Sequence, residues 1–108
     1  MSCETYIRHD GMVSALGDDW QEAFTTLRSG KNCVVYMKDW DAFPLMNTRL
    51  ACPYQKELPQ YPRKKIRGMG RVALLSLVAT DRALKMAGLM NDDGVVLDEL
   101  HDGRTGIA

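Results

Sequence analysis

The sequence predicts an incomplete, layered α/β fold, and three observations carry that expectation. A helical stretch from about residue 70 to 87 opens with a segment, residues 72–79, that is apolar almost all round, and such a helix must be covered on more than one face. Short β-prone runs are interleaved with a second, amphipathic helix earlier in the chain. The last residues, Gly103-Arg104-Thr105-Gly106-Ile107-Ala108, read as a strand that is just beginning. The expected organisation is one partial domain over residues 1–108.

Composition narrows the class. The chain has 108 residues, 45% of them hydrophobic, with 14 Lys and Arg balanced by 14 Asp and Glu. That excludes disorder driven by low hydrophobicity or high net charge. A formal charge of +0 gives no global attraction to nucleic acid or to an anionic membrane, so an electrostatic partner needs a local patch. No apolar run reaches the ~20 residues that cross a bilayer, and Met1-Ser2-Cys3-Glu4 lacks the features of a signal peptide. The expected location is the cytoplasm.

In chain order, Thr5-Tyr6-Ile7 is a short strand candidate that stops at Arg8-His9-Asp10-Gly11. Asp18-Asp19 then read as an N-cap. Glu22 stands three residues after Asp19 as in a capping box, and Trp20, Ala23, Phe24 and Leu27 recur at helical spacing toward a core-facing stripe. Gly30 supplies the stop. Cys33-Val34-Val35-Tyr36 and Thr48 to Ala51 are strand candidates, the second inside a loop-rich insertion over about residues 37–62 that Pro53, Pro59 and Pro62 interrupt. The long helix follows, about 70–87, with Asp81, Arg82 and Lys85 on its polar second half and Gly88 closing it. Asn91-Asp92-Asp93-Gly94 is a turn ahead of the apolar Val95-Val96-Leu97.

The strongest local signal is basic. Arg63, Lys64, Lys65, Arg67 and Arg71 fall together with no acid between Glu57 and Asp81. On composition alone this is a solvated surface stretch; the functional alternatives are docking of an acidic protein or contact with phosphate. No aromatic residue interleaves the cluster, which weighs against nucleic acid. The remaining signals are weak. Cys3, Cys33 and Cys52 are odd in number, widely spaced and without a CxxC pair or clustered His, so they read as ordinary buried or half-buried thiols in a reducing compartment. His9 and His101 have neither zinc-ligand nor triad spacing, Gly68-Met69-Gly70 reads as flexibility at a helix start, and capping accounts for Asp18 and Asp19. No cofactor or metal site is expected.

Gly11-Met12-Val13-Ser14-Ala15-Leu16-Gly17-Asp18-Asp19-Trp20, followed by Leu27-Arg28-Ser29-Gly30-Lys31, resembles the opening of the β-ketoacyl-acyl carrier protein synthases. The resemblance continues at Asn47-Thr48-Arg49-Leu50-Ala51, at Arg63-Lys64-Lys65-Ile66-Arg67-Gly68-Met69-Gly70-Arg71, through the long helix to Ala87-Gly88-Leu89, and at residues 103–108. Each motif is moderately specific; their order and spacing together cover nearly the whole chain.

The resemblance implies the N-terminal portion of a thiolase-like layered α/β/α fold. It implies a parent activity of decarboxylative condensation of acyl and malonyl thioesters in fatty acid or polyketide synthesis, on a Cys nucleophile assisted by two His. In this family those three positions lie beyond residue 108, and neither His9, Cys33 nor Cys52 matches them, so the chain is expected to be inactive alone. The implied docking surface for acyl carrier protein is Arg63, Lys64 and Arg67, with Lys65 adjacent; phosphopantetheine would arrive on that partner. The parent family is homodimeric, and neither membrane nor nucleic acid is an implied partner. The sequence departs from the family at Arg8-His9-Asp10, where small residues normally form a tight turn. A non-catalytic module that binds acyl carrier protein is the alternative reading.

Overall fold

The computed structural model describes residues 2–106. They fall into two units: Val13–Glu57 forms one, and the segment up to Met12 combines with the segment from Leu58 onward to form the other.

In the Val13–Glu57 unit, helix α1 (Trp20–Arg28) starts where the acidic pair predicts. The Asp19 carboxylate accepts the Glu22 backbone N–H at 2.8 Å, and Glu22 in turn accepts the Asp18 N–H at 2.9 Å. This satisfies two N–H groups near the helix start, which have no intrahelical partner. The Glu22 carboxylate also meets Lys56 Nζ at 2.6 Å, and the Tyr54 hydroxyl donates to Asp18 at 3.0 Å, so later residues are tied to the cap. The expected core-facing stripe is corrected. Only Ala23 is buried, whereas Trp20, Phe24 and Leu27 are 61%, 51% and 52% exposed. A helical period shows that one face is apolar, and here no described segment closes over that face.

Two strands of two residues each complete this unit. β1 (Val35–Tyr36) pairs antiparallel with β2 (Leu50–Ala51), Val35 opposite Ala51 and Tyr36 opposite Leu50. The Met37 N–H extends the ladder by donating to Arg49 O at 2.7 Å. A 3-10 turn (Lys38–Ala42) fills part of the connection, and its Asp41 pairs with Arg49 at 2.9 Å and accepts the Tyr36 hydroxyl. Both strands are shorter than the runs that predict them. The expected insertion is also divided, because residues from Leu58 on belong to the other unit.

In that other unit the long helix α3 (Arg71–Met86) follows a one-turn helix α2 (Arg63–Ile66). Val78 on α3 is 1% exposed, and Ala87 and Met90 beyond its end are also buried. Gly11 is pressed against α3: a Cβ there would lie 2.0 Å from Ala79 O and 2.8 Å from Ala83 N, so only glycine fits. Arg82 holds the same segment by donating to Met12 O at 2.8 Å. At the C-terminus, the Leu89 N–H reaches back to Leu84 O at 2.9 Å, the longer bond of a Schellman closure. The turn at residues 91–94 is where the sequence puts it; Asn91 Oδ1 accepts the Val95 N–H, and a Met90–Val96 bridge follows.

Three expectations are corrected in this unit. Thr5-Tyr6-Ile7 forms no strand; Tyr6 and Ile7 are 78% and 92% exposed, with no partner strand among the described residues to take their backbone bonds. Arg8, His9 and Asp10 are exposed too, so the charged departure carries no burial cost. Asp81 and Arg82 are half-buried rather than exposed. The all-round apolar start of α3 is not covered on every side: Val72 is 79% exposed. Helix and strand content is mixed, and the described strands are the two-residue pair and the one bridge. Residues 103–106 are irregular, and the end of the expected terminal strand, Ile107-Ala108, lies outside the described residues. No helix among the described residues is long and apolar enough to cross a membrane.

Candidate functional site

The basic cluster has a helix of its own instead of the start of the long one. Pro62, with φ −55°, is preset for helix initiation; its carbonyl accepts the Lys65 N–H at 2.8 Å. Arg67 then returns to extended backbone and Gly68 takes φ +83°, a conformation that favours glycine, so α2 ends after four residues and α3 starts afresh at Arg71. The break frees the cluster from the helical period of α3.

The structure divides the four predicted docking residues. Arg63, Lys64 and Arg67 are exposed and line one shallow indentation. No carboxylate pairs with them among the described residues. Lys65 turns away: its Nζ lies 5.3 Å from the centroid of the Tyr61 ring, a cation–π contact. It lines a different cleft of about 450 Å³, together with Tyr61, Asp81, Lys85, Asp92 and Asp93.

This cleft escapes sequence reasoning. The acid-free interval from Glu57 to Asp81 holds along the chain, but the fold returns Asp81 and the 91–94 turn to the side of Lys65. Partial burial, then the hydrogen bond that its hydroxyl donates to Asp81, pushes the Tyr61 phenol up to about 12. Tyr61 is thus a neutral donor that spans from the basic segment to α3. The available sequence signal was its place one residue before Pro62, and nothing local indicated its partner.

The other candidates disperse. His9 and His101 are exposed, and no group of three or more His, Cys, Asp or Glu is gathered to hold a metal ion among the described residues. Asp18 and Asp19 are engaged in the cap described above. Cys3 and Cys52 are exposed, which corrects the expectation of buried thiols, while Cys33 is half-buried. The described residues therefore present one cationic surface (Arg63, Lys64, Arg67) and one mixed-charge cleft, and the surface is suited to binding an anion or an acidic partner.

No protein-family model and no curated protein matches the chain. Among solved structures, a β-ketoacyl synthase from Burkholderia phymatum STM815 is similar, at 42% sequence identity and a TM-score of 0.73. The similarity covers 82% of this chain and 22% of that one, so the chain corresponds to about a fifth of the synthase's length. At this identity the likeness extends to the sequence as well as to the backbone, and these residues are similar to a portion of a β-ketoacyl synthase.

Proposed function

We propose that this chain is the N-terminal portion of a β-ketoacyl-acyl carrier protein synthase, and that its own contribution is a docking surface for the acidic carrier protein. The observation that carries the reading is the 42% identity with a solved β-ketoacyl synthase over 82% of the chain. The remaining layers of the thiolase-like fold belong to the rest of such an enzyme, as do the nucleophilic Cys and the two His. These 108 residues by themselves perform no condensation.

Arg63, Lys64 and Arg67 supply the docking chemistry: exposed cations, without acidic partners among the described residues, for carboxylates on the carrier and for the phosphate of its phosphopantetheine arm. Lys65 contributes at the edge, since the Tyr61 ring holds it to one side. Exposed ion pairs contribute only about 0.2–1 kcal/mol each and are screened by salt, so binding is weak and salt-sensitive.

The test is titration of the chain with an acidic acyl carrier protein at low salt. Lys64→Glu with Arg67→Glu abolishes binding, and Arg28→Glu, on α1, leaves it unchanged. Lys85 is a poor control because it lines the same cleft as Lys65. Tighter binding of duplex DNA than of carrier protein overturns the docking assignment. Formation of 3-ketoacyl product from acyl- and malonyl-carrier protein by the purified chain, surviving Cys33→Ala and Cys52→Ala, overturns the assignment of the reaction centre to other residues.

A further inference from the structure

Cys33 and Cys52, far apart in sequence, line a single cavity of about 500 Å³ together with Ala15, Leu16, Leu27 and Lys31. The ribbon explains how they come together. The ladder ends at Val35 opposite Ala51, so Cys33, two residues before β1, and Cys52, the residue after β2, lie at the same end of the ribbon. A regular ladder would send the two side chains to opposite faces. The Asn32 carboxamide turns the chain just before β1 by accepting the Val34 N–H at 2.9 Å, and both cysteines line the same cavity.

Their exposures differ in a useful way. Cys52 is open to solvent, whereas Cys33 is half-buried with its thiol directed at Ala15 O, 3.4 Å away. We propose that Cys33 and Cys52 are a dithiol pair that a small-molecule disulfide, typified by oxidised glutathione, closes into an intramolecular disulfide.

The exchange begins at Cys52. Its thiolate attacks one sulfur of oxidised glutathione, the S–S bond breaks, and one glutathione thiolate leaves. Cys33, deprotonated to water, then attacks the Cys52 sulfur of the mixed disulfide and expels the second glutathione thiolate. Two protein thiols are oxidised, one glutathione disulfide is reduced, and the two released protons end on the two glutathione molecules. The cavity beside the pair leaves room for the mixed-disulfide intermediate. The reaction closes residues 33–52 into a loop around the ribbon and needs none of the docking surface, so it stands independently of the proposed function.

The experiment incubates the reduced full chain with oxidised glutathione, natively and in urea, titrates free thiols, and maps linked peptides after alkylation. Cys33 and Cys52 lose their free thiols without retaining glutathione, any adduct that persists is on Cys3, the linked peptide joins Cys33 to Cys52, and it forms roughly tenfold or more faster natively, because the fold holds the reacting atoms close. Cys3→Ser leaves the linkage intact, and Cys33→Ser halts the reaction at a glutathione adduct on Cys52. The proposal is overturned by three persisting thiols, by a wild-type chain that stops at the Cys52 adduct, by pairing dominated by Cys3, or by a native rate no faster than that in urea.

Discussion

Helices α1 and α3 are held by opposite means. α1 has local devices at its start, the Asp19 cap and the Glu22 return contact, reinforced by a single long-range ion pair to Lys56, yet it buries only Ala23 and exposes Trp20 and Phe24. α3 starts at Gly70 with no side-chain cap, and its anchors are non-local: Val78 buried, Gly11 pressed against its backbone, and Arg82 on Met12. Termination by caps and stabilisation by packing are separate, and a sequence writes them in different places. Caps sit within a few residues of the end they serve, whereas packing partners come from anywhere in the chain.

If this contrast holds, the most damaging change in the molecule is a single methyl group far from α3 in sequence. Gly11→Ala puts a Cβ 2.0 Å from Ala79 O, a backbone atom that cannot step aside without bending the helix. Overpacking of this kind typically costs about 1–3 kcal/mol, and backbone contact puts this site at roughly 3 kcal/mol. Denaturant unfolding of the variant measures it. A loss no greater than that at an exposed position would show that the segment does not bear on α3.

Val78→Ala probes the same helix from within. Deleting two buried methyl-equivalents and leaving a partial cavity is expected to cost about 2 kcal/mol. The matching truncation on the exposed face, Val72→Ala, should change stability by about 0.5 kcal/mol or less. Equal losses at the two positions would mean that residue 72 is covered in solution, for instance by self-association of the apolar surface.

On α1 the local device is the target. Asp19→Ala removes the acceptor of the Glu22 N–H and should cost about 1 kcal/mol, with Asp19→Asn or Asp19→Ser recovering most of it. Circular dichroism during urea unfolding reports the change. The comparison sharpens if Phe24→Ala, despite removing a far larger side chain, costs less than a core deletion, since Phe24 is 51% exposed and its ring is covered in part by the Arg28 guanidinium 4.7 Å from its centroid.

The contrast also explains what the sequence made legible. The acidic pair and Gly30 located α1, and the apolar run at 72–79 together with the stop at Gly88 located α3 to within about a residue, because each signal acts across one or two turns of chain. The 91–94 turn was equally local. The exposure of the Trp20 stripe was not legible, since periodicity marks an apolar face without saying whether another segment meets it. At the candidate site, charge marked only a cluster, Arg63, Lys64, Lys65, Arg67 and Arg71, and the resemblance narrowed it to Arg63, Lys64 and Arg67; the diversion of Lys65 depends on Tyr61, which donates to Asp81 on α3. The shared cavity of Cys33 and Cys52 depends on strand register, which a two-residue ribbon does not advertise.

The smallest expected effect lies in the ion pair that closes the α1 cap. The hydrogen bond from Lys56, with a smaller contribution from the Asp18 N–H, holds the Glu22 carboxyl below its ordinary value, and the same pairing holds Lys56 above its own. A depressed carboxylate stabilises the fold above the unfolded Glu value and loses that contribution as pH falls through the folded one. A raised lysine stabilises below the unfolded Lys value and loses its contribution as pH rises through the folded one. The pair is therefore intact across the neutral range and weakens at both extremes. Both groups are exposed, so the effect is small and screened by salt. Urea midpoints collected from neutral pH down through the carboxylate range should show a modest acid-side decline that Lys56→Met flattens at low salt and that high salt also flattens in the unaltered chain. A decline that persists in full after Lys56→Met would move the acid sensitivity to other carboxylates and leave the α1 cap supported by Asp19 alone.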